Sequence, residues 1–401
     1  MSEIAAVRKR STDGLPAILA ASYLGSLLGL FANVQPLLLG ALQDGYGLSA
    51  GDLGHVSAVA IGFTTVATAS APLWVRRVNG RLFSLLTLVA TALVLACGAA
   101  IRNAALFLPF FMVLGLLKGA VGVPAFASLG DSASPARAYG VSLIFQAVTT
   151  AGGAMLLASY VFPHFGVPGF FILYAVYTIT GVVACYWLPA SSRTPNTTQH
   201  HAPEAPLLSA AAIPVIVAIV AMAVFVGGLY GFWYFIERIG KARGVSPSLI
   251  GVAFSLGALS SMVTASIVAW LGARFSGMTF VLAGSFLILT AFAVLQMDGN
   301  PAYVVSLLLF NLGWGLAQPG YSAIVRKVDA TGRWFVASPV PVGFAGIAIG
   351  MAAGPVIGWG GYRGMILLSA ILVTGAIGLV ILAIQLASAH QARSTLKLAE
   401  V

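Results

Sequence analysis

Long apolar runs, rather than alternation, organise this chain: Leu, Val, Ala, Ile and Phe follow one another between short polar interruptions. About twenty apolar residues in an α-helix cross the roughly 30 Å hydrocarbon core of a bilayer, so each run predicts a membrane-crossing helix. Twelve are expected. The first six lie at 16–40, 52–75, 82–101, 104–127, 138–161 and 167–188. The second six lie at 209–236, 248–271, 279–296, 302–324, 335–358 and 364–385. A membrane β-barrel would show alternating segments of about ten residues instead, and the continuous runs exclude it. The connections are short and hold turn residues, as in Gln43-Asp44-Gly45 and Asp298-Gly299-Asn300-Pro301. The stretch 189–208 is the longest polar interruption and reads as a linker. It divides an N-terminal six-helix bundle (1–188) from a C-terminal bundle with its tail (209–401).

Of the 401 residues, 59% are hydrophobic and 7% charged, where a soluble domain carries about 25% charged residues. Mean hydropathy is +0.99. A soluble enzyme is excluded, and so is a nucleic-acid binder, despite a net charge of +10. The placement of the cations matters more than their sum. With the N-terminus in the cytoplasm, the inner segments hold fourteen Lys and Arg and the outer segments five. This bias predicts that both termini and the linker are cytoplasmic. Arg8-Lys9-Arg10 precedes an apolar run too long for a signal peptide, so that run is read as the first helix. Cys97 and Cys185 sit in apolar runs and His200-His201 in the linker, so no disulfide framework, metal or cofactor is expected.

The sequence also repeats itself. Gly47-Leu48-Ser49 with Leu53-Gly54 recurs as Gly244-Val245-Ser246 with Ile250-Gly251, 197 residues later. The same offset carries Arg77 to Arg274 and Gly80 to Gly277. Arg137 matches Arg333 at 196, while Pro124 with Pro319, Gly166 with Gly361 and Gly169 with Gly364 match at 195. Matching loops fall on the same side of the membrane, so the repeat is parallel, an arrangement found in secondary transporters. With this layout the chain resembles the major facilitator superfamily over essentially its whole length. The loop after helix 2, Val75-Arg76-Arg77-Val78-Asn79-Gly80-Arg81, is similar to that family's cytoplasmic signature, as is its repeat Ala273-Arg274-Phe275-Ser276-Gly277. The resemblance implies a gating role for Arg76, Arg77 and Arg274. The signature's acidic residue is absent from both copies, and Ala151-Gly152-Gly153 lacks the proline of the family's antiporter motif.

The resemblance further implies a central cavity lined by helices 1, 4, 7 and 10 and their neighbours. Those helices carry polar and aromatic stripes: Ser22, Ser26 and Asn33 on helix 1; Tyr230, Trp233, Tyr234 and Glu237 on helix 7; Asn311, Trp314, Gln318 and Tyr321 on helix 10. Residues three, four and seven apart share a helical face. The competing reading is packing and hydrogen bonding between helices. Lys118 lies deep in helix 4, where a cation must face water, a partner or a solute. The candidate solute-binding residues are Lys118, Asn33, Ser26, Tyr230, Trp233, Tyr234, Asn311, Trp314 and Gln318. Lys118, Glu237 and His55 are the candidates for coupling to protons. A glycine-rich helix 11, from Gly343 to Gly358, reads as close helix packing.

The expectation is an all-α integral membrane protein of the inner membrane, a monomer. It would move a small organic solute, anionic or amphipathic, by alternating access, with protons as candidate co-substrate. An efflux exporter of the same family is the alternative within that class. A lipid enzyme or a non-transporting receptor is the alternative outside it, and no catalytic constellation favours an enzyme.

Overall fold

A computed structural model describes residues 14–132, 134–189, 212–272, 274–329, 334 and 337–399. The linker beyond Pro189, the N-terminal Arg8-Lys9-Arg10, Arg193, Ala273 and Arg333 lie outside the described residues. The first half comprises α1 (Leu15–Tyr46), α2 (Ala50–Trp74), α3 (Gly80–Ala99), α4 (Phe107–Gly130), α5 (Pro135–Leu156) and α6 (Phe162–Cys185). A π-helical turn at Leu157–Val161 joins α5 to α6. The second half comprises α7 (Ile213–Trp233), α8 (Ile236–Ala242), α9 (Pro247–Leu271), α10 (Gly277–Val294), α11 (Asn300–Val328) and α12 (Pro339–Ala399). Nine helices among the described residues are long and apolar enough to cross a membrane, two of them double length. Gly166 and Gly361 break those two into separate crossings. The 29-residue α11, whose apolar run is interrupted by its polar stripe, completes the twelve.

Two segments differ from the sequence expectation. The seventh span ends at Trp233 rather than 236, because Phe235 leaves helical geometry (φ −115°, ψ 2°) and the chain restarts as α8. Glu237 therefore does not continue the Tyr230 stripe. The last helix runs on to Ala399 instead of ending at 385.

The repeat read from the sequence reappears in the backbone. Gly47 and Gly244 share a left-handed φ (67° and 77°), as do Gly166 and Gly361 (both 59°). Equivalent helices begin on equivalent caps: Ser49 and Ser246 for α2 and α9, Asn79 and Ser276 for α3 and α10. Each such oxygen accepts from an N–H group that the first helical turn leaves unpaired. Packing between the halves follows the same symmetry. Gly54 of α2 lies against the Gly350 carbonyl and Ala353 of α12, and Gly251 of α9 lies against the Ala154 carbonyl of α5 and Ala158 of the π-helical turn. Small residues let backbones approach closely, which is how helices associate where water supplies no hydrophobic drive.

The contacts that join the halves run from the middle of the bundle to the end away from the chain termini, hereafter the distal end. There Ser255 Oγ donates to Ala151 O (2.6 Å) and Trp233 Nε1 to Ala32 O (3.2 Å). One buried core includes Leu30 to Leu42 of α1 together with the second half, whereas Ala20 to Leu27 belong to a separate core of the first half. At Gly166 and Gly361 a Cβ would meet a backbone conformation costing roughly 1–3 kcal/mol. Gly166→Ala and Gly361→Ala should each lower the melting temperature in detergent. Gly358→Ala, at a helical position with open space around it, should not.

Candidate functional site: a cavity between the halves

A cavity of about 660 Å³ opens between α5, α9 and α11, roofed by α1 and α7. It reaches from Asn33 and Trp233 at mid-bundle to Tyr139, Ser266 and Pro319 toward the end of the termini. Its polar wall is built at helical spacing. Asn311, Trp314 and Gln318 project from one face of α11, and Gln146 and Thr150 from one face of α5. Asn311 Nδ2 donates to Leu307 O (2.8 Å), and Asn33 Nδ2 to Thr150 Oγ1 (3.1 Å). Gln146 Nε2 donates weakly to Ser142 Oγ (3.4 Å). Gln318 Oε1 is buried without a hydrogen-bond partner. Gly257 makes the room for Asn311: a Cβ there would stand 2.6 Å from Nδ2. Among the described residues, the wall carries no Lys, Arg, His, Asp or Glu.

Five residues singled out in the sequence line this cavity: Asn33, Trp233, Asn311, Trp314 and Gln318. Tyr230 and Tyr234 stack on each other (5.3 Å, 6°), and Tyr230 meets Trp314 edge-on (6.4 Å, 88°), so they brace the wall from behind. Ser22 and Ser26 are fully buried in the first half, away from the cavity, and Ser26 Oγ bonds Tyr23 O (2.6 Å). Tyr321 is buried in the second-half core against Phe225. Lys118 is half-buried on α4, outside the cavity wall, with Nζ 4.4 Å over the Phe31 ring. It makes no ion pair among the described residues. His55 is exposed and lines a separate apolar groove of about 470 Å³ between α2 and α12. Arg76 and Arg77 are exposed beyond α2, and Arg274 lies over the Trp270 ring at 5.4 Å. The sequence reading did not name Tyr139, Gln146, Thr150 or Ser261; the signal for the α5 wall was a polar series at 142, 146 and 149–150.

Glu237 belongs to a second site, at the distal end. Asp44 of α1 pairs with Arg238 and Lys241 of α8, each at 2.5 Å. Glu237 pairs with Lys241 (3.0 Å) and lies 3.4 Å from Arg238 Nε. Arg238 also donates to Gly40 O at 3.0 Å. The Asp44 pairs and the Gly40 bond tie α1 to α8 across the two halves, while the Glu237 pairs stay within α8.

Twelve helices in two parallel-repeat bundles, with a cavity between them and a clasp at one end, define a multi-pass membrane protein built as a carrier. Residues 19–333 match the Major Facilitator Superfamily, and the chain belongs to that family, whose transporters carry small-molecule solutes across membranes. No curated protein matches the chain. Three solved structures share its fold. The nucleoside transporter NupG has 11% identity and a TM-score of 0.66, covering 92% of this chain and 99% of its own. The human organic anion transporter MFSD10 has 19% identity and a TM-score of 0.61, covering 94% and 100%. A bacterial homologue of the iron transporter ferroportin has 15% identity and a TM-score of 0.62, covering 92% and 99%.

If the wall is water-filled, Asn311→Cys, Gln318→Cys and Thr150→Cys, with Cys97 and Cys185 replaced, should react with a small hydrophilic thiol reagent. Leu307→Cys, on the buried face of α11, should stay unmodified. Equal protection of all four would reduce the polar stripe to packing.

Proposed function

We propose that this chain is a secondary carrier of the inner membrane whose solute binds in the cavity between α5, α9 and α11. Both termini and the linker face the cytoplasm, a placement supported by the fourteen-to-five bias in Lys and Arg. The cavity then reaches toward the cytoplasm while the distal end, outside, is shut. The single observation that carries the reading is the character of that wall: amide and hydroxyl groups interleaved with Tyr139, Trp233, Phe254 and Trp314, without a formal charge. A net charge buried there would lack a counter-charge and is disfavoured. The wall therefore suits an uncharged or amphipathic organic solute with a flat apolar face and hydrogen-bonding groups. With no carboxylate or imidazole on the described wall, movement down the solute's own gradient is the simplest drive. Lys118, Glu237 and His55 are the groups through which a proton would act. We read the chain as a monomer.

A second reading keeps an anionic solute, favoured by Lys118, whose cation rests on Phe31 with no ion pair among the described residues. A panel spanning nucleosides, organic anions and metal cations, the cargo classes of the three structures above, separates the two by binding and by counterflow in proteoliposomes. On the first reading a neutral solute is carried, and Asn311→Leu and Gln318→Leu each weaken it about three- to tenfold, the scale of one hydrogen bond. Lys118→Ala then leaves affinity unchanged. On the second, an anion is carried, and Lys118→Ala lowers its affinity roughly ten- to a hundredfold. Binding without flux would make the chain a receptor. For sidedness, cysteines at Thr197 and Ser394 should resist an impermeant reagent added to intact cells; their rapid labelling would reverse the assigned topology.

A further inference from the structure

The distal ion cluster is lopsided in what it joins. Asp44 belongs to the first half, while Glu237, Arg238 and Lys241 all ride on α8 of the second. Two cations are thus shared by two acids, and only one of those acids moves with them. Separating the halves at this end breaks the Asp44 pairs and leaves the Glu237 pairs intact. The two acids also differ in surroundings. The Asp44 side chain is already 48% exposed, whereas that of Glu237 is 5% exposed. The Glu237 carboxylate is pressed against α1 where residue 40 has no side chain; a Cβ at Gly40 would collide with it. Closure therefore buries Glu237, and opening frees it.

From this asymmetry we infer that Glu237 is a positioning residue of the transport cycle that promotes opening of the distal end, while Asp44 opposes it. When α1 withdraws, Glu237 keeps Arg238 and Lys241 neutralised. Without it, opening would leave two neighbouring cations on α8 with no acid between them, a repulsive arrangement. Asp44 instead passes into water, where losing a half-exposed pair costs little. Removing either acid should change the same equilibrium with opposite sign. A cluster serving only to hold the halves together would give the same sign for both. The inference rests on the reading above that the distal end is the outer gate.

The test measures labelling of Ala32→Cys, in a background carrying Cys97→Ala and Cys185→Ala, by an impermeant thiol reagent added outside. Ala32 sits beneath the closure, its carbonyl bonded by Trp233, so its labelling rate follows the open population. Asp44→Asn should speed labelling by roughly three- to tenfold. Gly40→Ala should also speed it, by wedging the carboxylate away from α1. Glu237→Gln should slow it. Acceleration by Glu237→Gln, or no acceleration by Asp44→Asn, overturns the inference. If Glu237→Gln fails to fold, Glu237→Asp, whose shorter arm cannot span both cations, takes its place with the same expected sign and the same overturning result. Arg102→Cys and Ser248→Cys, exposed at the distal end, should label from outside in every variant. If they label only from the inner face, the assigned sidedness fails, and the same comparison run from that face still decides the role of Glu237.

Discussion

The bilayer interior offers no hydrogen-bond partner to an exposed peptide group, and the architecture follows from that constraint. Every crossing is a helix, because only a helix satisfies its own backbone within one segment. Side-chain polarity must then be spent sparingly. Several hydroxyls bond a carbonyl one turn back, as half-buried Thr64 does to Ala60 O (2.8 Å) and buried Thr91 to Thr87 O (2.6 Å). Where several amides gather instead, on α11 and α5, they surround a cavity rather than lipid. The least apolar long helix, α11, is also the one that brings Asn311, Trp314 and Gln318 to the cavity wall.

A pseudo-two-fold axis relates the halves, and it explains which residues meet. Positions 40 and 237, and 44 and 241, are separated by the same 197 residues as Gly47 and Gly244. Equivalent positions on the faces nearest the axis must approach each other, so the repeat places Asp44 beside Lys241 and Gly40 beneath Glu237. Opposite charge at one pair and absence of a side chain at the other turn a symmetric backbone into a clasp. The same divergence separates the two clefts. One, between α5 and α9, carries Asn311, Gln146 and Trp314 and forms a polar cavity; its counterpart between α2 and α12 carries Val59, Phe344 and Ile347 and forms an apolar groove.

Helix number, the repeat and the α11 stripe were legible in the sequence because each is written along the chain, as apolar run length, as a recurring offset of 195–197 residues and as helical spacing. The wall on α5 was less so: its polar residues sit among Leu143, Ile144 and Ala147, apolar residues of the same wall, and beside Val148, which is exposed and outside it, so polar and apolar positions blur in a one-dimensional pattern. Ser26 shows the opposite error. Its spacing from Asn33 places both on one face, yet α1 packs on α6 at one level and borders the cavity at the other, so Ser26 meets Tyr177 (2.9 Å) while Asn33 lines the cavity. A shared helical face does not mean a shared environment along a helix of 32 residues. The clasp needed the axis as well as the residues, and the opposite charges at equivalent positions were its trace in the sequence.

The carrier cycle proposed above would require each half to hold together better than the two hold each other, and the ring clusters are distributed accordingly. Within the first half, Phe31, Phe111, Phe170 and Tyr174 form a ring cluster with centroid distances of 5.5–6.4 Å. Within the second, Phe232, Phe292, Phe310 and Trp233 do the same at 4.6–6.4 Å. Large rings bury much area and pack in few geometries, so these cores resist shear. The interface between halves instead runs over Gly51, Gly54, Gly350 and Gly354, with hydrogen bonds and ion pairs added at one end. Small-residue seams lose little area on parting, and polar contacts can be exchanged for water when that end opens. Leu30 to Leu42 of α1 join the second half in one apolar core, so the closure combines apolar packing with glycine seams and a polar clasp, and it is the seams and the clasp that can be exchanged for water at small cost.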